Sequence, residues 1–404
     1  MPGGPLRLNG GGNACSVLAV WLLCLSFIGP AGASTSSCGQ LLEAAFLEHW
    51  GLPREGQAVD LEAITARCAE DDVPASLEND PPGTLMAFIG FSEFVKGRTP
   101  AAVEAWQAGV PDANTLAMVA LGDVALRAGA AEGRIDVGLK KAHAWYRRAA
   151  EAGSPLGMSK LAWFYDEGYH VKRDSAQALA WYMRAAEAGE PTAMHNLGYF
   201  FTAGKAVAKN IETAMRWYEW AGQAGSAASY HNLGVLYDEG LEVPEDDGKA
   251  VHYYRLAAYG GYPDAMVNLG WMYRHGAGVE RDYGEAIHWY EKAIDAGYDE
   301  AATNLGVMYY EGVGVEKDLE AALRYFLLAA TAGRPEAMAN ASSAYMDLGA
   351  YRAAYFWTVL ATMNGMGQVA FRLVELHALL PDTIMAETEA LAAAWTPGSP
   401  PPEF

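Results

Sequence analysis

At 404 residues the chain has room for two or three compact domains, although a regular internal repeat overrides that expectation because repeat arrays grow without new cores. Its formal net charge of −21 repels nucleic acid and anionic lipid. The same charge favours solubility and basic partners.

Residues 1–33 read as an export signal. Arg7 is the only charge there, the apolar run Ala14–Ile28 follows, and Ala31-Gly32-Ala33 supplies the small residues of a cleavage point. The run has 15 residues, short of the roughly 20 that span a bilayer as a helix. A periplasmic or secreted chain starting near Ser34, without stable membrane insertion, is therefore expected, with an uncleaved anchor as the alternative. Neither Cys24 nor Cys38 sits in a lipoprotein-type box, so no acyl anchor is expected.

Residues 34–83 read as a helical hairpin, with short helices over 37–50 and 60–71 joined by the turn Gly51–Gln57. Such a hairpin would bring Cys38 close to Cys68, and two cysteines in an exported chain suggest one disulfide. Two free buried thiols are the other possibility. Residues 84–115, with Ile89-Gly90, Gly97, Ala102 and Trp106, read as a degenerate helix pair.

A regular array occupies residues 116–365. Trp145, Trp181, Trp217, Tyr253, Trp289 and Tyr325 recur every 36 residues, as do the glycines from Gly153 to Gly333 and the leucines from Leu161 to Leu305. A fixed period of this length marks stacked supersecondary units. In one unit, Pro191–Thr202 carries Ala193, Leu197, Phe200 and Phe201 at helical spacing and ends before Gly204. A loop with Val207 follows, and Asn210 stands where Asp174, Asp246, Asp282 and Asp318 stand in other units, as a cap for the second helix. The second helix, for example Ser175–Ala188, is expected to bury Ala178, Trp181, Tyr182 and Ala185. A glycine then stops it, and Pro155, Pro191, Pro263 or Pro335 opens the next unit. The periodic tryptophans are expected in the core rather than in a ligand cage.

Two units depart from this spacing. Around Ala130–Lys140 there are four extra residues, expected in the loop, and Ser342 to Ala354 is only 12 apart, the spacing of plain tetratricopeptide units. Residues 366–395 read as two capping helices separated at Pro381, and 396–404 as a Pro-rich disordered tail.

These motifs resemble the SEL-one-like repeat family of the tetratricopeptide superfamily. In one unit the family pattern reads Ala265, Leu269-Gly270, Tyr273, Gly276-Ala277-Gly278-Val279, Asp282, Ala286, Trp289-Tyr290, Ala293 and Gly297. The resemblance implies an all-α, right-handed α-solenoid of helix-turn-helix repeats whose first helices line the concave face. It also implies a protein–protein adaptor, with no cofactor. Some cysteine-rich relatives have been linked to β-lactam binding and hydrolysis, but the paired cysteines of their repeats are absent here.

On the first helices the stripe opposite the core positions is His195, Tyr199 and Thr202, bordered by Asn196. Its equivalents are Trp163 and Asp166; His231, Val235 and Asp238, bordered by Asn232; Trp271 and Arg274; Val307 and Tyr310. Aromatics mixed with charges have the composition of interface hot spots. The ladder Asn196, Asn232, Asn268, Asn304 and Asn340 has two readings, contact with a bound peptide, as in some relatives, or a bond to a neighbouring helix, which buried polar groups require. His195 and His231, in the same register of adjacent units, could sense pH or bind a metal, or could simply be variable surface. No other metal-ligand spacing, phosphate loop or nucleophile elbow is present, so no catalytic residue and no enzyme activity is expected. The sequence therefore points to an adaptor of the cell envelope that regulates or assembles an envelope or secretion complex. The alternative is an envelope glycan- or β-lactam-binding protein or weak hydrolase.

Overall fold

In a computed structural model the described residues are 89–91, 94, 99–110 and 114–404. The export signal and the hairpin with Cys38 and Cys68 lie outside them. Every regular element among the described residues is helical, and most helices pack on a sequence neighbour, the arrangement of an all-α repeat solenoid. None of these helices is long and apolar enough to cross a membrane. The chain divides into two compact parts at Leu233/Gly234.

The first part contains α1 (Thr99–Gly109), α2 (Thr115–Ala131), α3 (Ile135–Glu151), α4 (Pro155–Glu167), α5 (Ser175–Glu187), α6 (Pro191–Ala203) and α7 (Ile211–Gln223), and ends within α8 (Ala227–Asp238). The second part continues with α9 (Asp247–Tyr259), α10 (Pro263–His275), α11 (Tyr283–Asp295), α12 (Asp299–Glu311), α13 (Leu319–Thr331), α14 (Pro335–Asp347) and α15 (Tyr351–Met363). A 3-10 turn (Gly367–Val369), α16 (Phe371–His377) and α17 (Asp382–Ala394) close the chain.

Local chemistry sets the helix ends. Asp174, Asn210, Asp246, Asp282 and Asp318 each accept backbone N–H groups in the first turn of the second helix, as their recurrence predicts. Each cap residue also donates its own N–H nine residues back, for example from Asp318 to the Tyr309 carbonyl at 3.0 Å, and so closes the loop. Pro155, Pro191, Pro263 and Pro335 occupy first-turn positions, where a missing amide hydrogen leaves nothing unpaired.

The core corrects one expectation. Trp145, Trp181, Trp217, Tyr253 and Tyr325 are only half-buried, and Trp289 alone of that series is buried. The fully buried series stands one residue later, at Tyr146, Tyr182, Tyr218, Tyr254, Tyr290 and Phe326. Five of these rings lie on the first helix of their own unit, at Gly122, Gly198, Gly234, Gly270 and Gly306, and the place of that glycine in the unit of Tyr182 is Ala162; a Cβ on Gly198 would stand 2.5 Å from the Tyr218 ring. Side-chain deletion on the first helix thus makes the slot that the aromatic fills. The degenerate unit follows the same rule, since Gly90 faces the buried Trp106. In the last pair the ring-on-glycine contact becomes a buried hydrogen bond of 2.6 Å between Ser342 and Thr358.

The four extra residues near Ala130 also fall elsewhere than expected. They lengthen α2 and α3 to 17 residues each, against 13 in most other helices, and leave a short turn between them. The two helices approach closely at Gly129 and Gly138, where a Cβ on Gly129 would lie 2.7 Å from the Gly138 Cα. The tail expected to be disordered makes contacts: the Gly398 amide donates to the Thr331 carbonyl at 2.7 Å, and the Phe404 ring lies 5.3 Å from Phe356.

Candidate partner-binding face

The first-helix stripe predicted from the sequence separates into rows with different jobs. In the first row, Asp166, Thr202, Asp238, Arg274 and Tyr310 lean toward the buried aromatic of their own unit. Asp238 accepts from the Tyr254 hydroxyl at 2.8 Å, and burial together with that carboxylate drives the Tyr254 phenol far above its ordinary range. Thr202 is buried and donates to the Gly198 carbonyl at 2.8 Å while facing Tyr218, whose phenol burial pushes up to about 12. Asp166 is buried, raises the Tyr182 phenol after burial has done most of that work, and pairs with Lys205 of the next unit at 2.6 Å. Arg274 bonds Glu311 at 3.0 Å, and the Tyr310 hydroxyl bonds Asp347 at 2.8 Å. Asp166, Arg274 and Tyr310 tie neighbouring units together, Thr202 and Asp238 bond within their own, and the polar groups of this row are engaged within the protein.

The asparagine ladder behaves the same way where its contacts are visible. Asn232 faces the Tyr218 hydroxyl, and Asn268 bonds that of Tyr254, each reaching back from one unit to the preceding one. Asn196 is half-buried. His195 is also held inside: its Nδ1 lies 2.8 Å from the Ser229 hydroxyl and its ring 5.5 Å from that of Tyr218. Burial, then the neighbouring His231, lowers its pKa to about 4, so the ring is neutral at physiological pH. His231 is half-buried.

The remaining positions of the stripe form a second row. Trp163 is half-buried, with its ring edge-on to Phe164 and Tyr169. Tyr199 is half-buried beneath the Lys205 ammonium. Val235 and Val307 are half-buried. Trp271 is 45% exposed, with its indole stacked on His275 at 4.2 Å. Exposed aromatics that the sequence reading passed over stand on second helices: Trp220, edge-on to Trp217, and Tyr259, edge-on to Trp289. Among the described residues no three metal-ligating side chains of the His, Cys, Asp or Glu types converge.

Helix pairs with a 36-residue period, glycine slots for buried aromatics and inter-unit polar ties define a repeat scaffold protein. The family model described as Sel1 repeat matches residues 115–154, 155–190, 191–226, 227–262, 263–298 and 299–333, and the chain belongs to that family. Sel1 repeats are protein–protein interaction scaffolds. The α14–α15 pair lies beyond the last matched repeat. No curated protein matches the chain. Among solved structures it is similar to a Sel1 repeat protein from Oxalobacter formigenes, at 29% identity over 61% of this chain and 99% of that one, with a TM-score of 0.53. It is also similar to a protective antigen of uropathogenic Escherichia coli with an SLR fold, at 21% identity over 89% of this chain and 94% of that one, with a TM-score of 0.42. An immunity protein from Pseudomonas aeruginosa is 24% identical over 52% of this chain and 81% of its own length, with a TM-score of 0.36.

Proposed function

We propose that the chain is a non-catalytic adaptor of the cell envelope, exported by residues 1–33, that holds a protein or peptide partner on the first-helix face of its repeats during regulation or assembly of an envelope or secretion complex. Trp271 carries this reading. It is a large, exposed aromatic on a face whose adjacent positions are engaged in packing and inter-unit bonds, and such aromatics dominate interface energies. The net charge of −21 favours a basic partner, and therefore binding that weakens with salt.

The test is affinity capture from envelope extract with the wild-type chain and with Trp271→Ala. A specific partner lost in the variant, with unchanged melting, supports the reading. A partner retained equally by both would move the binding face elsewhere, and turnover of a glycan or β-lactam by the purified chain would replace the adaptor reading.

A further inference from the structure

Two departures from the repeat pattern meet in space near the start of the array. The place occupied by Leu179, Met215, Val251, Ile287 and Leu323 in later second helices is His143 in α3. The place of Gly278 and Gly314 in later loops is His170, just after α4. That loop position takes a left-handed backbone in every unit where it occurs, at φ of 60° for His170, 58° for Ala206 and 60° for Glu242, so an imidazole there is a choice of side chain and not of backbone.

The two rings stand with centroids 5.7 Å apart and planes at 59°. Imidazole nitrogens bind zinc at about 2.0–2.1 Å, which places the centroids of two rings on one ion about 5–6 Å apart. Nε2 of His143 is buried and has no hydrogen-bond partner among the described residues, although a buried imidazole nitrogen ordinarily has one. Phe164 and Tyr165 wall the His143 ring at 6.0 and 6.2 Å, whereas His170 is exposed and gives access from solvent. The one cation acting on His143, Arg147, is engaged with Glu151 at 3.2 Å.

We propose that His143 and His170 form a two-imidazole site for a late first-row divalent cation such as Zn2+, with water completing the coordination. Imidazole pairs suit Zn, Ni and Cu in preference to the hard cations Mg and Ca, which need oxygen donors. Burial, then His170, then Arg147 lower the His143 pKa, and the neutral ring they favour is the ligating form. A bound ion would bridge α3 to the loop that follows α4.

Calorimetric titration of the full-length protein with Zn2+ at pH 7.5 tests the site, alongside His143→Leu and His170→Gly, each of which installs the residue found at that place in other units. The wild type should bind one Zn2+ that both variants bind about tenfold or more weakly, since even indirect supports of a ligand are worth that much. Imidazole NMR of the wild type should show His143 and His170 shifting together on Zn2+ addition. Equal titration of all three proteins, or Zn2+ shifts confined to other histidines, would mean adventitious binding only and overturn the proposal.

Discussion

Tyr182 and Trp181 are adjacent in sequence and share one period, yet they do different work. Tyr182 is fully buried, while Trp181 is half-buried with the Arg184 guanidinium 4.9 Å above its ring. Tyr182→Ala should therefore cost about 3–5 kcal/mol, and Trp181→Ala clearly less. Urea denaturation of the two variants checks the order, and a reversed order would restore the tryptophans to the core. His195 gives a pH prediction. Its folded pKa, near 4, lies below the ordinary 6.5, so on acidification the unfolded chain takes up the proton first. The stability that neutral His195 supplies is complete above pH 6.5 and is lost as pH falls from 6.5 toward 4. That loss is about 3 kcal/mol at most, since one pKa unit is worth about 1.4 kcal/mol. Thermal melts across this range should be steeper in pH for the wild type than for His195→Thr, which installs the residue of Thr303. Parallel curves for the two proteins would show that His195 does not titrate between the states.

The elements themselves were legible because their determinants are local. A short acceptor before each second helix, a proline in the first turn and a glycine after the last all act within about four residues, and each stands where the 36-residue period puts it. Asp318→Ala removes the bond to the Ala321 amide at 2.8 Å and should cost about 1 kcal/mol, with earlier fraying of α13. Circular dichroism melts would check it, and an unchanged midpoint would mean that the loop bond from the Asp318 amide suffices alone. The fate of the extra residues near Ala130 was not legible. Ala, Gly and Arg permit either loop or helix, and the outcome depends on the Gly129–Gly138 approach, which only tertiary packing creates. The tryptophan and tyrosine series were confused for a related reason: both keep the period, and the glycine slot that selects the tyrosine lies 20 residues earlier in Gly198 and Tyr218.

At the scale of the molecule, the stripe on the first helices was predictable from helical geometry, whereas its division into engaged and open rows was not. Asp238 reads as surface until Tyr254, 16 residues on, is seen to donate to it, and Tyr310 reads as an anchor until Asp347 of the next unit accepts its hydroxyl. The Tyr310–Asp347 bond joins neighbouring units, and a repeat array has approximately nearest-neighbour energetics. Damage should accordingly stay local. Trp395 tests this at the end of the second part, where it packs edge-on against Trp357 at 5.7 Å and Phe356 at 6.5 Å beside the tail that bonds Thr331. Trp395→Ala removes a large partner from the face of α15 and leaves Trp357 less covered. Hydrogen exchange should then accelerate in Tyr351–Met363 and Asp382–Ala394, while amides in Ile135–Gln223 keep their wild-type protection. Acceleration spread evenly through both regions would mean that the array opens as one cooperative body, and that the C-terminal helices support the whole solenoid instead of sealing its last layer.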